Sequence, residues 1–140
     1  MKYKMYDEMM EQPESLQRTF EAEFKNLEEV SDLVTQVDKV YLIGCGSSIS
    51  TCYSVRDAIR MSSTNINIEV YTGYEFYYNK KLVENENSIA IFTSQSGETA
   101  DTLAALRESK ARGFKVLGIV NVVGSSIARE ADNIIYTWAG

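Results

Sequence analysis

Histidine is missing from this chain, and proline and tryptophan occur once each, at Pro13 and Trp138. Without histidine, proton transfer near neutral pH falls to a carboxylate, a lysine or a residue of another chain. The two cysteines, Cys45 and Cys52, form no Cys-x-x-Cys pair. With no histidine beside them they argue against a zinc site, so no metal is expected, and they fit a reducing, cytoplasmic setting. No apolar stretch approaches the roughly 20 residues of a membrane span. The opening MKYKMYDEMMEQ has no apolar core of signal-peptide type. Positive charge is sparse: 14 lysines and arginines face 20 aspartates and glutamates, for a net charge of −6. No basic run interrupts this balance, so neither nucleic acid nor an anionic membrane is an expected partner. A small anionic ligand stays compatible, because a local site can be positive on an acidic protein.

What is present reads as one domain. The 140 residues, 44% of them apolar, suffice to bury a real core. Residues 1–35 read as a helical arm, with Met5, Met9, Leu16, Phe20, Phe24 and Leu27 at helical spacings and Pro13 in the first turn of a second helix. The arm is expected to be partly exposed if the domain stands alone. From Lys39 short apolar runs alternate with helical patterns. Strands are expected at Val40–Ile43, 66–71, 88–93, 115–120 and 133–138, and helices at 48–61, 98–112 and 125–130. Residues 73–78, with Tyr74, Phe76, Tyr77 and Tyr78, read as an aromatic turn or short helix in a core or interface patch. Strand alternating with helix implies the α/β class, a parallel sheet covered on both faces. In such sheets ligands sit outside the carboxyl ends of the strands.

Two serine- and glycine-bearing loops fall at such ends, Gly44–Ser48 and Ser94–Thr99. The second reads FTSQSGETADTL with its flanks. A loop entering a helix presents free N–H groups and the positive end of the helix dipole. Gly97 permits a close backbone approach, and Ser94, Ser96 and Thr99 add hydroxyl donors, which together make a neutral phosphate cradle. Three or four such bonds, each worth about 1.5–3 kcal/mol, give roughly micromolar to millimolar affinity after binding entropy. The competing reading is a hydroxyl-rich helix cap without a ligand. Glu98 reads either as a general base or, preferably, as a first-turn acid of the helix. The loop Asn121–Ser126 reads as a helix cap through Ser125 or Ser126. Gly44-Cys45-Gly46 lacks the third glycine of a dinucleotide loop, which is Ile49 here, and no nucleotide-triphosphate loop is present.

Residues 94–132, SQSGETADTLAALRESKARGFKVLGIVNVVGSSIAREAD, resemble the sugar isomerase (SIS) domain family, in particular the first such domain in the isomerase half of the glutamine–fructose-6-phosphate aminotransferases. GCGSSIS resembles that family's first loop, with Ser47 where threonine is usual. MYDEMMEQPESL resembles the helical segment before the isomerase half. The resemblance implies a three-layer α/β/α sandwich around a flavodoxin-like five-stranded parallel sheet, with the SIS domain at 36–140 behind the arm at 1–35. It implies that Ser94, Gln95, Ser96 and Thr99 hold the phosphate of a hexose 6-phosphate, and that Ser47 and Ser48 touch the sugar. No organic cofactor is implied. The parent reaction would convert fructose 6-phosphate to glucosamine 6-phosphate. The family's glutaminase half and second SIS domain have no counterpart in this sequence, and that second domain supplies the isomerising residues. No catalytic residue is therefore assigned here, and no turnover is expected of this chain alone. It looks like the first half of an isomerase unit, pairing with a second SIS domain or with its own copy. The alternatives are another phosphosugar isomerase or deglycase of the superfamily, and a non-catalytic sugar-phosphate sensor.

Overall fold

A computed structural model describes residues 3–62, 65–79 and 87–139; residues 1–2 of the expected arm lie outside them. The arm forms two helices, α1 (Lys4–Met10) and α2 (Gln12–Thr35), with Pro13 in the first turn of α2. There its missing N–H costs no hydrogen bond. Then follow β1 (Lys39–Gly44), α3 (Ser47–Met61), β2 (Asn67–Thr72), α4 (Gly73–Tyr78) and β3 (Ser88–Ser94). The chain continues through α5 (Ala100–Ala111), β4 (Lys115–Val120), α6 (Ser126–Glu130) and β5 (Asn133–Tyr136). No helix among the described residues is long and apolar enough to cross a membrane.

The five strands form one parallel sheet in the order β2-β1-β3-β4-β5. Register aligns their carboxyl ends: Gly44 stands opposite both Thr72 and Thr93, and Val120 opposite both Ser94 and Tyr136. Successive side chains point to opposite faces, so each strand feeds two cores. One holds Tyr41, Ile43, Phe92 and Val116 with Phe76 of α4, Leu106 of α5 and Ile127 of α6. The other holds Val40, Leu42, Ile91 and Leu117 with Cys52 of α3, and with Leu27, Val30 and Val34 of α2 packed on it. This is the expected α/β/α sandwich, and the second half of α2 lies with α3 in one of its outer layers.

Each fully buried aliphatic or aromatic side chain contributes about 1.5–3 kcal/mol. The largest are aromatic and meet edge to face: Tyr41 with Phe76 and with Phe114, each at 5.5 Å. Phe76 thus takes the core role foreseen for the aromatic segment, while Tyr74, Tyr77 and Tyr78 stay exposed and pack on one another. The α4 backbone lies directly on the first turn of α5. A Cβ at Gly73 would meet the Asp101 carbonyl at 2.7 Å. Among the charged residues of the arm, Met5, Met9, Leu16, Phe20 and Phe24 are open to solvent.

Candidate functional site

The sheet order reverses at β1 and β3. The chain leaves β1 toward β2 on one side and returns as β3 on the other, and this divergence opens a crevice above their carboxyl ends. Both candidate loops lie there. After β1 the loop is Cys45-Gly46, and α3 begins at Ser47, with Ser48 donating its N–H to the Cys45 carbonyl at 3.2 Å. After β3 the loop runs from Ser94 to Thr99, and α5 begins at Ala100.

Hydroxyls organise the second loop from within. Ser94 is 4% exposed, and its Oγ accepts the Gly97 N–H at 3.1 Å and pairs with Thr99 Oγ1 at 3.2 Å. Ser96 Oγ accepts the Glu98 N–H at 3.2 Å. Gly97 takes φ 65°, which a side chain would strain. Thr99 is the N-cap residue of α5, yet its side chain accepts nothing from the helix. The first-turn N–H groups of α5 therefore lack the side-chain cap that the ligand-free reading of these hydroxyls requires.

Two expectations for neighbouring residues are corrected. Glu98 lies before α5, and Asp101 is the first-turn acid instead. Glu98 reaches across to α6, where its Oε1 accepts the Ser126 N–H at 2.7 Å. That backbone bond, with the Ser126 side chain and Arg129 nearby, holds its carboxyl below the usual range. Ser125 occupies the N-cap position of α6, but its hydroxyl caps nothing. It is buried without a hydrogen-bond partner, because packing turns it against Gly97: a Cβ there would lie 2.1 Å from Ser125 Oγ.

A cavity of about 830 Å³ opens over the strand ends. Ser47, Ser48, Ser94 and Gln95 line it together, while Ser96 and Thr99 of the same loop are not among its lining residues. Several lining groups were not foreseen. Thr51 follows one turn of α3 after Ser48, and Thr93 precedes Ser94 on β3, so the strand-end rule alone could have found them. Asn121 follows β4, and its side chain clamps the segment after β5. Its Oδ1 accepts from Thr137 Oγ1 at 2.9 Å and the Ala139 N–H at 2.7 Å, while Nδ2 donates to the Ala139 carbonyl at 2.7 Å. The arm supplies the facing wall through Lys4, Glu8, Glu11 and Gln12. Its helical periodicity carried no signal of that placement.

The thiols are both free. Cys45 is half-buried beside the crevice and accepts from Thr102 Oγ1 at 3.5 Å. Cys52 is buried, and desolvation pushes its thiol up.

The SIS domain family model matches residues 33–140. Over 144 residues the chain is 38% identical to the glutamine–fructose-6-phosphate aminotransferase (isomerizing) of Clostridium tetani and 39% identical to that of Clostridium acetobutylicum. In both cases the match takes in 97% of the chain but only 23% of the relative, so the chain spans about a quarter of the length of these proteins. The C-terminal domain of glucosamine-fructose-6-phosphate aminotransferase from Francisella tularensis superposes with a TM-score of 0.85 at 31% identity, covering 99% of this chain and 41% of that one. The strand order, the crevice at β1 and β3 and these likenesses agree: the chain belongs to the SIS domain family.

Proposed function

We propose that the crevice binds a hexose 6-phosphate, with the phosphate on Ser94, Gln95, Ser96 and Thr99 and the sugar hydroxyls on Ser47 and Ser48. The observation that carries this is the state of the second loop. Its hydroxyls shape the loop, and none of them caps α5, so the helix dipole and first-turn N–H groups are left for an anion. The SIS phosphosugar-binding domain is then 36–140, and 1–35 is an arm that also walls the site. The likeness to the aminotransferases supports a role as the phosphosugar-binding first half of an aminotransferase/isomerase unit, in a cytoplasmic setting that suits two free thiols. In that unit fructose 6-phosphate and an ammonia donor give glucosamine 6-phosphate through an open-chain imine and a proton shift. This chain's residues bind and orient the phosphosugar, and the groups that move protons come from elsewhere, so the chain alone has no turnover. The large apolar side chains that the arm exposes support pairing with a second SIS domain or with another copy.

Calorimetry with fructose 6-phosphate and glucosamine 6-phosphate tests the reading, with unphosphorylated glucosamine as control. Binding that requires the phosphate is expected. Equal heats from glucosamine, or none from either phosphosugar, would overturn it.

A further inference from the structure

We propose that Glu98 is a positioning residue. By accepting the first N–H of α6 it locks the phosphate loop onto the turn between β4 and α6, and so sets the loop's binding geometry. The inference rests on the phosphosugar reading and adds a part to it.

Four links join the loop to that turn. The Gln95 carbonyl accepts the Asn121 N–H at 3.0 Å, and the Gly97 carbonyl accepts the Ile127 N–H at 3.1 Å. The Glu98 carboxylate accepts the Ser126 N–H at 2.7 Å. Gly97 also packs on Ser125 so closely that an added Cβ would stand 2.6 Å from the Ser125 Cβ. Two carbonyls of the loop and its carboxylate are thereby directed to one side. A free carbonyl or carboxylate turned toward the crevice would repel a phosphate. Held on the turn, the same groups leave the opposite side of the loop to N–H and hydroxyl donors. This explains how an acidic residue can stand inside an anion cradle. It also removes Glu98 from the role of general base, because its carboxylate is engaged away from the ligand side. Arg129, which donates to Ser126 Oγ at 3.0 Å, steadies the donor end of the link.

The donor can be deleted without touching the loop. Ser126 is the first residue of α6, where proline fits a helix. Ser125 before it has φ −60° and ψ 165°, a conformation that suits a residue preceding proline. In the 140-residue chain, Glu98→Ala and Ser126→Pro are each expected to weaken fructose 6-phosphate binding by about tenfold. The double variant should be no weaker than either single one, because both remove the same link. Glu98→Gln keeps an acceptor oxygen and should restore most of the affinity. Arg107→Ala cuts the two-bonded pair with Glu130 at the other end of α6, at 2.8 and 2.7 Å, and should leave binding unchanged. A second readout needs no ligand: amide hydrogen exchange at residues 95–99 should quicken about tenfold in Glu98→Ala and Ser126→Pro, and return in Glu98→Gln. If both single variants fold, bind and exchange like the parent, the positioning role is wrong. It is equally wrong if their losses add, or if Glu98→Gln is as weak as Glu98→Ala. A parent chain that binds no phosphosugar, with the exchange pattern as expected, would defeat the function proposed above and leave the link between loop and turn standing.

Discussion

The indole Nε1 of Trp138 donates to Oε1 of Glu23 at 2.8 Å, across 115 positions of sequence. Glu23 is 3% exposed, and its other oxygen accepts from Asn26 Nδ2 at 2.7 Å. One helix turn earlier the Thr19 hydroxyl donates to the Thr137 carbonyl. The backbone takes φ 48° at Trp138, a strained value for a side-chain-bearing residue. These contacts pin the middle of α2 to the segment after β5, and Asn121 holds the same segment from the other side. The part of the cavity wall that Thr19 of α2 supplies is thereby tied to the strand ends.

Trp138→Phe should cost about 1–3 kcal/mol of unfolding free energy, since it leaves a buried carboxylate oxygen unpaired. Glu23→Gln, which retains an acceptor, should cost less. Urea denaturation checks both, and a Phe variant as stable as the parent would show that water replaces the indole.

Ser94→Ala removes the acceptor of the Gly97 N–H and the partner of Thr99 at once. Affinity for fructose 6-phosphate should fall about 10- to 100-fold, and Thr99→Ala should lower it by a smaller factor. Calorimetry reads both, and unchanged affinity in the pair would remove the cradle assignment.

Gly97→Ala meets two penalties, the positive φ and the overlap with Ser125, for about 2–4 kcal/mol together. Adding Ser125→Gly relieves the overlap and leaves the backbone term, so the double variant should recover part of the loss in a denaturant titration. No recovery would place the whole cost in the backbone.

At alkaline pH the weak point is Tyr71. Burial first, then its hydrogen bond to Glu69 Oε2 at 2.7 Å, pushes its hydroxyl from the ordinary 10.0 up to about 12. The fold therefore holds the protonated form more tightly than the unfolded chain does. That contribution is whole below pH 10 and is lost as pH rises toward 12. Between these values the unfolding free energy of Tyr71→Phe should decline less steeply than that of the parent. Parallel declines would mean that the Glu69 bond does not discriminate between folded and unfolded chains.

Much of the architecture was legible because buried parallel strands read as unbroken apolar runs, as at Val40–Ile43, and because Gly113 stops α5. Where the reading missed, a distant partner had intervened. Glu98 looks like a helix acid in sequence, yet it is drawn off by Ser126, 28 positions later, so α5 starts at Ala100. The apolar pattern carries β5 to Trp138, yet the strand ends at Tyr136, because Asn121 and the arm take up the residues that follow. Ser125 looks like a cap, and packing against Gly97 turns it away. The hydroxyl loops were found because their chemistry is local. The arm wall and the Asn121 clamp were not, because chain reversal alone brings them to the site.

The contact at Gly73 has a kinetic meaning. With no side chain there, α4 rests directly against the first turn of α5, and that turn follows the loop proposed to hold the phosphate. The loop is thus supported from beneath by the aromatic core and from the side by the turn after β4. A receptor in that condition loses little to ordering when its ligand arrives. On the proposed function, encounter and desolvation then set its association rate, and differences in affinity among phosphosugars emerge in how long each one stays.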